Sequence, residues 1–221
     1  MGLGAEIRHK IAKRAAMEIR DGMLVNLGIG IPSLVPDHLP AGHFIMFHAE
    51  NGIVGMGKSP DEGEEDAHLC NAGGYPVTIR EGASYCDSTT AFGMIRKGLV
   101  DVTILGALQV SENGDLANWI VPGKRVPGMG GAMDLAAKAK KVIVLMNHQD
   151  KHGISKLVKS CTLPLTAKRC VHMVITEMGV FSVMPGGLLL TDQFSPYTIE
   201  EIKVSTEAEF EISESLTIYG E

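Results

Sequence analysis

The stretch Phe47–Pro60, FHAENGIVGMGKSP, contains two sets of residues that could do chemistry. In the first, Glu50-Asn51-Gly52 ends an apolar run, placing a carboxylate on a sharp turn that Asn and Gly permit. A carboxylate is already ionised at neutral pH, so it can act as a nucleophile without a base to activate it. It does need shielding from water, a group that polarises the oxygen it attacks, and a leaving group. In the second, Gly52–Ser59 fits the phosphate-loop pattern G-x-x-x-x-G-K-[ST], which implies a P-loop-like nucleotide-binding domain. That pattern works only when a helix starts directly after the Lys-Ser pair and its N–H groups converge on the phosphates. Gly63 would fall in the first turn of any helix opened by Pro60. Asp61, Glu62, Glu64, Glu65 and Asp66 would set negative charge against a triphosphate. No strand ends in the Mg²⁺-binding Asp such domains use. A flexible Gly-rich turn is the better expectation for Gly52–Ser59.

For the carboxylate, the polarising group has a candidate in Gly128–Asp134, GMGGAMD, a glycine run entering a helix whose exposed N–H groups suit an oxyanion hole. Other constellations are weaker. A second Glu-Asn-Gly, Glu112-Asn113-Gly114, lies between two strand-like runs and reads as a hairpin turn. His148 and His152 lie four apart in the polar NHQDKHG, which lacks a third ligand and reads as a surface loop. The 12 methionines are scattered and read as core filling.

The elements that must position these residues follow from periodicity. Ile7, Ile11, Ala15 and Ile19 mark one face of a helix over Ala5–Arg20, stopped at Asp21-Gly22. The basic residues of RHKIAKR then lie on a solvated helix face. MLVNLGIGIP reads as a strand and a glycine turn, with Pro32 in the first turn of the next helix. HFIMFHA is a second strand, and SPDEGEEDAHL an acidic surface loop. Asp87-Ser88 caps a helix that runs through Arg96-Lys97 and closes at Gly98. VDVTILG and VIVLM are buried strands, and PGKRVPGMGGAMDLAAKAKK leads from a loop into a helix. Short strands with a turn at Pro185-Gly186-Gly187 follow, then a short helix and a last strand in TIEEIKVSTEAEFEI. The expected fold is α/β: a layered α/β/α domain with a mainly parallel sheet and short antiparallel strands toward the C-terminus. No break in composition divides residues 1–221, which are read as a single domain.

At 221 residues the chain can bury a full core. Its net charge of -6 gives no general attraction to nucleic acid or anionic membrane. Cys70, Cys86, Cys161 and Cys170 form no C-x-x-C pair; they read as reduced, buried side chains rather than ligands. No metal and no resident cofactor are expected. The N-terminus lacks the apolar core of a secretory signal, and the longest apolar runs are too short to span a bilayer, so a cytoplasmic location is expected.

FHAENGIVG resembles the active-site signature of the β subunit of class I (3-oxoacid) CoA-transferases. Further blocks in family order, among them DGMLVNLGIGIP, NAGG, FGMIRKG, GDLANWIVPGK and VPGMGGAMDL, extend the resemblance over nearly the whole chain. It implies that Glu50 is the nucleophile forming a glutamyl-CoA thioester. It implies that the Gly131 N–H helps form the oxyanion hole, with Asn26, Gly28, Asn51 and Gly130 at the substrate site. It also implies ping-pong transfer of CoA, the substrate, from an acyl-CoA to a short-chain or 3-oxo acid. The partner it implies is an α subunit, in an α2β2 assembly with the site at the subunit interface. Three positions depart from the family pattern. Ala49 replaces a usual Ser, Lys58 stands where relatives often carry Pro, and Gly74 stands where succinate-using relatives tend to have Lys. Without that ammonium a dicarboxylate loses a partner for its second charge, so a monocarboxylate acceptor is expected.

Overall fold

The structure, a computed structural model, describes residues 4–123 and 128–220. Helix α1, Ala5–Ala16, leads into β1, Leu24–Leu27, and a 3₁₀ segment, Ile31–His38, which has Pro32 in its first turn as expected. Strands β2, Met46–Ala49, β3, Ile53–Met56, and β4, Ile79–Tyr85, come next. Helix α2, Ser88–Arg96, is followed by β5, Val102–Gly106, β6, Gln109–Ser111, and β7, Leu116–Ala117. Helix α3, Ala132–Lys138, precedes β8, Lys141–Leu145, β9, Leu157–Val158, and β10, Met173–Ile175. Strands β11, Gly179–Met184, and β12, Gly187–Phe194, helix α4, Ile199–Ser205, and β13, Phe210–Tyr219, complete the chain.

Ten strands form one sheet in the order β13-β12-β11-β10-β8-β5-β1-β2-β3-β4. The central run β10-β8-β5-β1-β2 is parallel. Its strands are apolar almost throughout because both faces are covered. One core joins the inner face of α1 and Val35 to Val25, Phe47, Met56, Ile104 and Ile175. The other packs Ile95 of α2, Leu135 of α3 and Ile202 of α4 against Leu105, Val144 and Val174. The layered α/β/α architecture is therefore as expected. Strands β6, β7 and β9 form a small second sheet, with Asn113-Gly114 in the expected β6–β7 turn.

Several local expectations need correction. Helix α1 ends at Ala16 rather than Arg20: the Glu18 and Ile19 N–H groups bond back three residues, to Ala15 and Ala16, tightening the last turn. Arg14 is not on a solvated face. It is half-buried, 2.6 Å from Glu18 and 3.1 Å from Asp192 of β12, tying the helix to the sheet. The segment expected to be a flexible Gly-rich turn contains β3, which pairs antiparallel with both β2 and β4. Gly55 at φ +95° makes that possible, because a Cβ there would lie 2.9 Å from the Ala83 Cα. Of the four cysteines only Cys170 is buried, and Cys70 is exposed. His148 is not in a surface loop. Its ring is fully buried, 3.0 Å from the Thr176 hydroxyl and 2.8 Å from that of Thr206, and burial pushes its pKa down to about 4.

Candidate active site

Strand β2 delivers Glu50 to the turn that joins it to β3. The Gly52 N–H bonds the Ala49 carbonyl at 2.9 Å, closing the turn, and its own carbonyl accepts the Cys86 N–H at 2.9 Å. Only glycine fits at position 52. Its φ is +113°, and a Cβ would collide with the Cys86 carbonyl oxygen. The chain therefore reverses tightly and leaves the Glu50 side chain half-buried at the end of the strand.

Side chains on the sheet fix the carboxylate. Asn26 of β1 lies beside His48 of β2 in the parallel register, and Glu50 follows two residues on, facing the same way. Asn26 Nδ2 donates to Glu50 Oε2 at 3.1 Å and to the His48 carbonyl at 3.1 Å. Asn26 Oδ1 faces the Thr103 hydroxyl of β5 at 3.4 Å. His48 is fully buried, and its Nε2 lies 3.1 Å from the Ala91 carbonyl of α2. A carbonyl only accepts, so Nε2 carries the proton and Nδ1 turns its lone pair toward Asn26 Nδ2, 3.4 Å away. Desolvation lowers the His48 pKa, which keeps the ring neutral at pH 7 despite the nearby Glu50 charge.

The other carboxylate oxygen faces Gly131. A Cβ at that position would lie 3.2 Å from Glu50 Oε1 and 3.4 Å from Cδ. Gly131 has φ -79° and ψ -2°, a conformation open to any residue, so it is space and not backbone strain that a side chain would violate here. Among the described residues the Gly130 and Gly131 N–H groups make no backbone hydrogen bond.

The structure thus brings together Glu50, Gly131 and Asn26. The remaining expected site residues are arranged differently. Gly130, at φ +54°, is exposed with open space beside it. The Gly28 N–H is spent on the Ile104 carbonyl at 2.8 Å, and a Cβ there would come within 3.2 Å of that oxygen. Asn51 adjoins Glu50, but its amide turns away to the Cys70 carbonyl at 2.8 Å. Thr103 was not singled out from the sequence, and its place in the apolar run VDVTILG was the available signal. The phosphate-loop alternative fails: after Lys58-Ser59 the chain stays exposed and acidic, and the next helix begins only at Ser88. Lys58 itself lies 3.9 Å from Asp61. Among the described residues no group of three or more His, Cys, Asp or Glu side chains is placed to hold a metal ion.

The site is a held carboxylate at a strand end, facing a bare glycine, in a layered α/β chain. The coenzyme A transferase family model matches residues 8–204. Among curated proteins, the beta subunit of a probable coenzyme A transferase from Bacillus subtilis is 61% identical, covering 96% of this chain and 98% of that one. One subunit of the succinyl-CoA:3-ketoacid coenzyme A transferase of Helicobacter pylori is 49% identical, covering 93% and 99%. Among solved structures, an acyl-CoA transferase apoenzyme from Escherichia coli O157:H7 superposes with TM-score 0.76 at 20% identity. That match shows the fold, and the chain spans 45% of the longer protein. The chain belongs to the coenzyme A transferase family, as a class I β subunit.

Proposed function

We propose that the chain, a CoA-transferase β subunit, moves CoA from an acyl-CoA to a carboxylic acid through a glutamyl-CoA thioester on Glu50. The observation that carries this reading is the setting of that carboxylate: Oε2 is held by Asn26 and the other oxygen faces Gly131. A Glu50 oxygen attacks the thioester carbonyl and expels CoA thiolate, leaving a mixed anhydride. The thiolate then attacks the glutamyl carbonyl and expels the first acid as its carboxylate. The enzyme now holds CoA as a thioester. The acceptor carboxylate attacks the same carbonyl and expels the thiolate, which takes the acyl group from the second anhydride and frees Glu50. No proton changes hands, consistent with a neutral His48.

Each tetrahedral oxyanion needs a donor, and the Gly131 N–H is assigned that role; such a donor typically contributes roughly 3–4 kcal/mol. Asn26 orients the nucleophile, while Gly28, Asn51 and Gly130 belong to the walls of the substrate site. Residues 1–221 act as one β-subunit domain paired with an α subunit, in an α2β2 assembly with the Glu50 turn at the interface. The apolar side chains exposed around that turn, Ile29, Tyr75, Tyr85 and Met133, support a covered surface there. With Gly74 in place of a lysine, the acceptor is a monocarboxylate, short-chain or 3-oxo.

The test is transfer of CoA between two acids, measured with the chain alone, with its α subunit, and with Glu50→Gln in the assembled enzyme. Turnover is expected only from the wild-type assembly, with succinate a poor acceptor. Turnover by the chain alone would remove the interface reading. Retained activity in Glu50→Gln would remove the nucleophile, and efficient succinate use would remove the monocarboxylate assignment.

A further inference from the structure

Asn26 can hold Glu50 only while its amide faces the right way round, and an amide fits its pocket equally well with either end forward. Its Nδ2 lies 3.1 Å from Glu50 Oε2, 3.1 Å from the His48 carbonyl and 3.4 Å from His48 Nδ1. The carboxylate and the carbonyl only accept, so both require the NH₂ end. The Thr103 hydroxyl, 3.4 Å from Oδ1, can donate or accept and therefore tolerates either end. Of these neighbours the His48 ring is the one whose requirement changes with protonation. Its Nε2–H is given to the Ala91 carbonyl of α2 at 3.1 Å, which leaves Nδ1 as a lone pair that also requires NH₂.

Protonation of the ring reverses that requirement. Nδ1 would then aim a hydrogen at the Asn26 NH₂, donor against donor, between two buried side chains that cannot turn to water instead. Turning the amide over satisfies the ring but sets Oδ1 against Glu50 Oε2 and the His48 carbonyl, acceptor against acceptor. Either way the hydrogen bond that holds Glu50 is lost. A charged ring would also draw on the Glu50 carboxylate and make it a weaker nucleophile. Glu50 is the charged group that acts on the ring, and it favours the protonated form. The other elements packed on it present uncharged groups: the Ala91 carbonyl of α2, Asn26 of β1, and Val54 of β3 in register. Burial outweighs the Glu50 charge, so the ring stays neutral at pH 7.

We infer that His48 is a positioning residue, whose Nε2–H tautomer, fixed by the Ala91 carbonyl, keeps the NH₂ end of Asn26 turned toward Glu50. The inference rests on Glu50 as the nucleophile. A chain of contacts then runs from α2 through the ring and the amide to the carboxylate, and thioester formation on Glu50 requires a neutral His48.

The test follows the rate of thioester formation in the enzyme assembled with its α subunit, mixed with acyl-CoA and trapped with borohydride at short times across a range of pH. The wild-type rate is expected to fall with acid, with a midpoint below the ordinary histidine value of 6.5. His48→Gln keeps an acceptor and a donor but takes no charge. It should react at close to the wild-type rate at pH 7 and move the midpoint to lower pH. His48→Leu keeps neither group. It should slow formation on the order of tenfold or more, with the half-saturating acyl-CoA concentration unchanged. A wild-type rate that does not fall with acid, a midpoint unmoved in His48→Gln, or a full rate in His48→Leu would overturn the inference and leave the nucleophile in place. Equal loss in both variants would mark a merely structural ring and overturn it too. No thioester on wild-type Glu50 at any pH would instead remove the nucleophile, and the inference with it.

Discussion

Glu50 is set by two neighbours of opposite kind: Asn26 supplies a hydrogen bond, and Gly131 supplies empty space. Replacing Asn26 with Ala removes the amide that reaches both Glu50 and the His48 carbonyl. The side chain is buried, so a loss of about 1–3 kcal/mol in unfolding free energy is expected. A misplaced nucleophile should also lower kcat by on the order of 10²-fold in the assembled enzyme. An unchanged kcat would show that the carboxylate holds its position without Asn26. Gly131→Ala probes the other side. The backbone there accepts alanine, so thermal stability should hold while the new methyl, about 3.2 Å from Oε1, lowers kcat. A large drop in Tm with kcat intact would reverse that assignment.

At the scale of elements, the Glu50 turn depends on a strand pairing that the sequence only half discloses. Gly52→Ala forces a side chain into a left-handed conformation and against the Cys86 carbonyl. A loss of about 2 kcal/mol or more is expected in denaturant unfolding, and a shift below half that would show that the turn can relax. The starts of α2 and α4 were legible because single residues carry them, whereas the end of α1 was not. Asp87 accepts the Thr90 N–H at 2.7 Å, and Thr198 with Glu201 forms a complete capping box. The buried parallel strands were legible because both faces are apolar. Strands β3 and β4 were not: β3 is interrupted by Gly55, whose purpose is close approach to Ala83, and β4 is an exposed edge without apolar alternation. His148 was misread for a related reason. Its polar neighbours, Asn147 and Gln149, suggest a loop, while its partners Thr176 and Thr206 lie far along the chain. The Glu50 carboxylate was visible as a motif, whereas its contact with Gly131 required the fold.

For the whole molecule, buried neutral histidines tie stability to pH. His148 has its folded pKa lowered to about 4 from an ordinary 6.5, so the unfolded chain takes up a proton that the folded protein resists. Its contribution is complete above about pH 6.5 and is lost as pH falls toward about 4, amounting to about 3 kcal/mol. His48 is lowered by the same cause and acts in the same direction. Denaturant unfolding across this window should show stability falling with acid, and His148→Gln should flatten the slope. A wild-type stability independent of pH between 4 and 6.5 would contradict the buried neutral ring. At this scale the sheet joins two cores of comparable extent, with Glu50 facing the N-terminus of α3. No described helix is long and apolar enough to cross a membrane.

The most direct measurement is chemical trapping on the assembled enzyme. The protein, purified with its α subunit, is incubated with acyl-CoA and treated with borohydride, which reduces a glutamyl thioester to an alcohol. The modified peptide is then located by mass spectrometry. Reduction at Glu50 that depends on acyl-CoA is the predicted result. An unmodified Glu50 in an enzyme that turns over, or reduction at another residue, would contradict the central role assigned to this carboxylate.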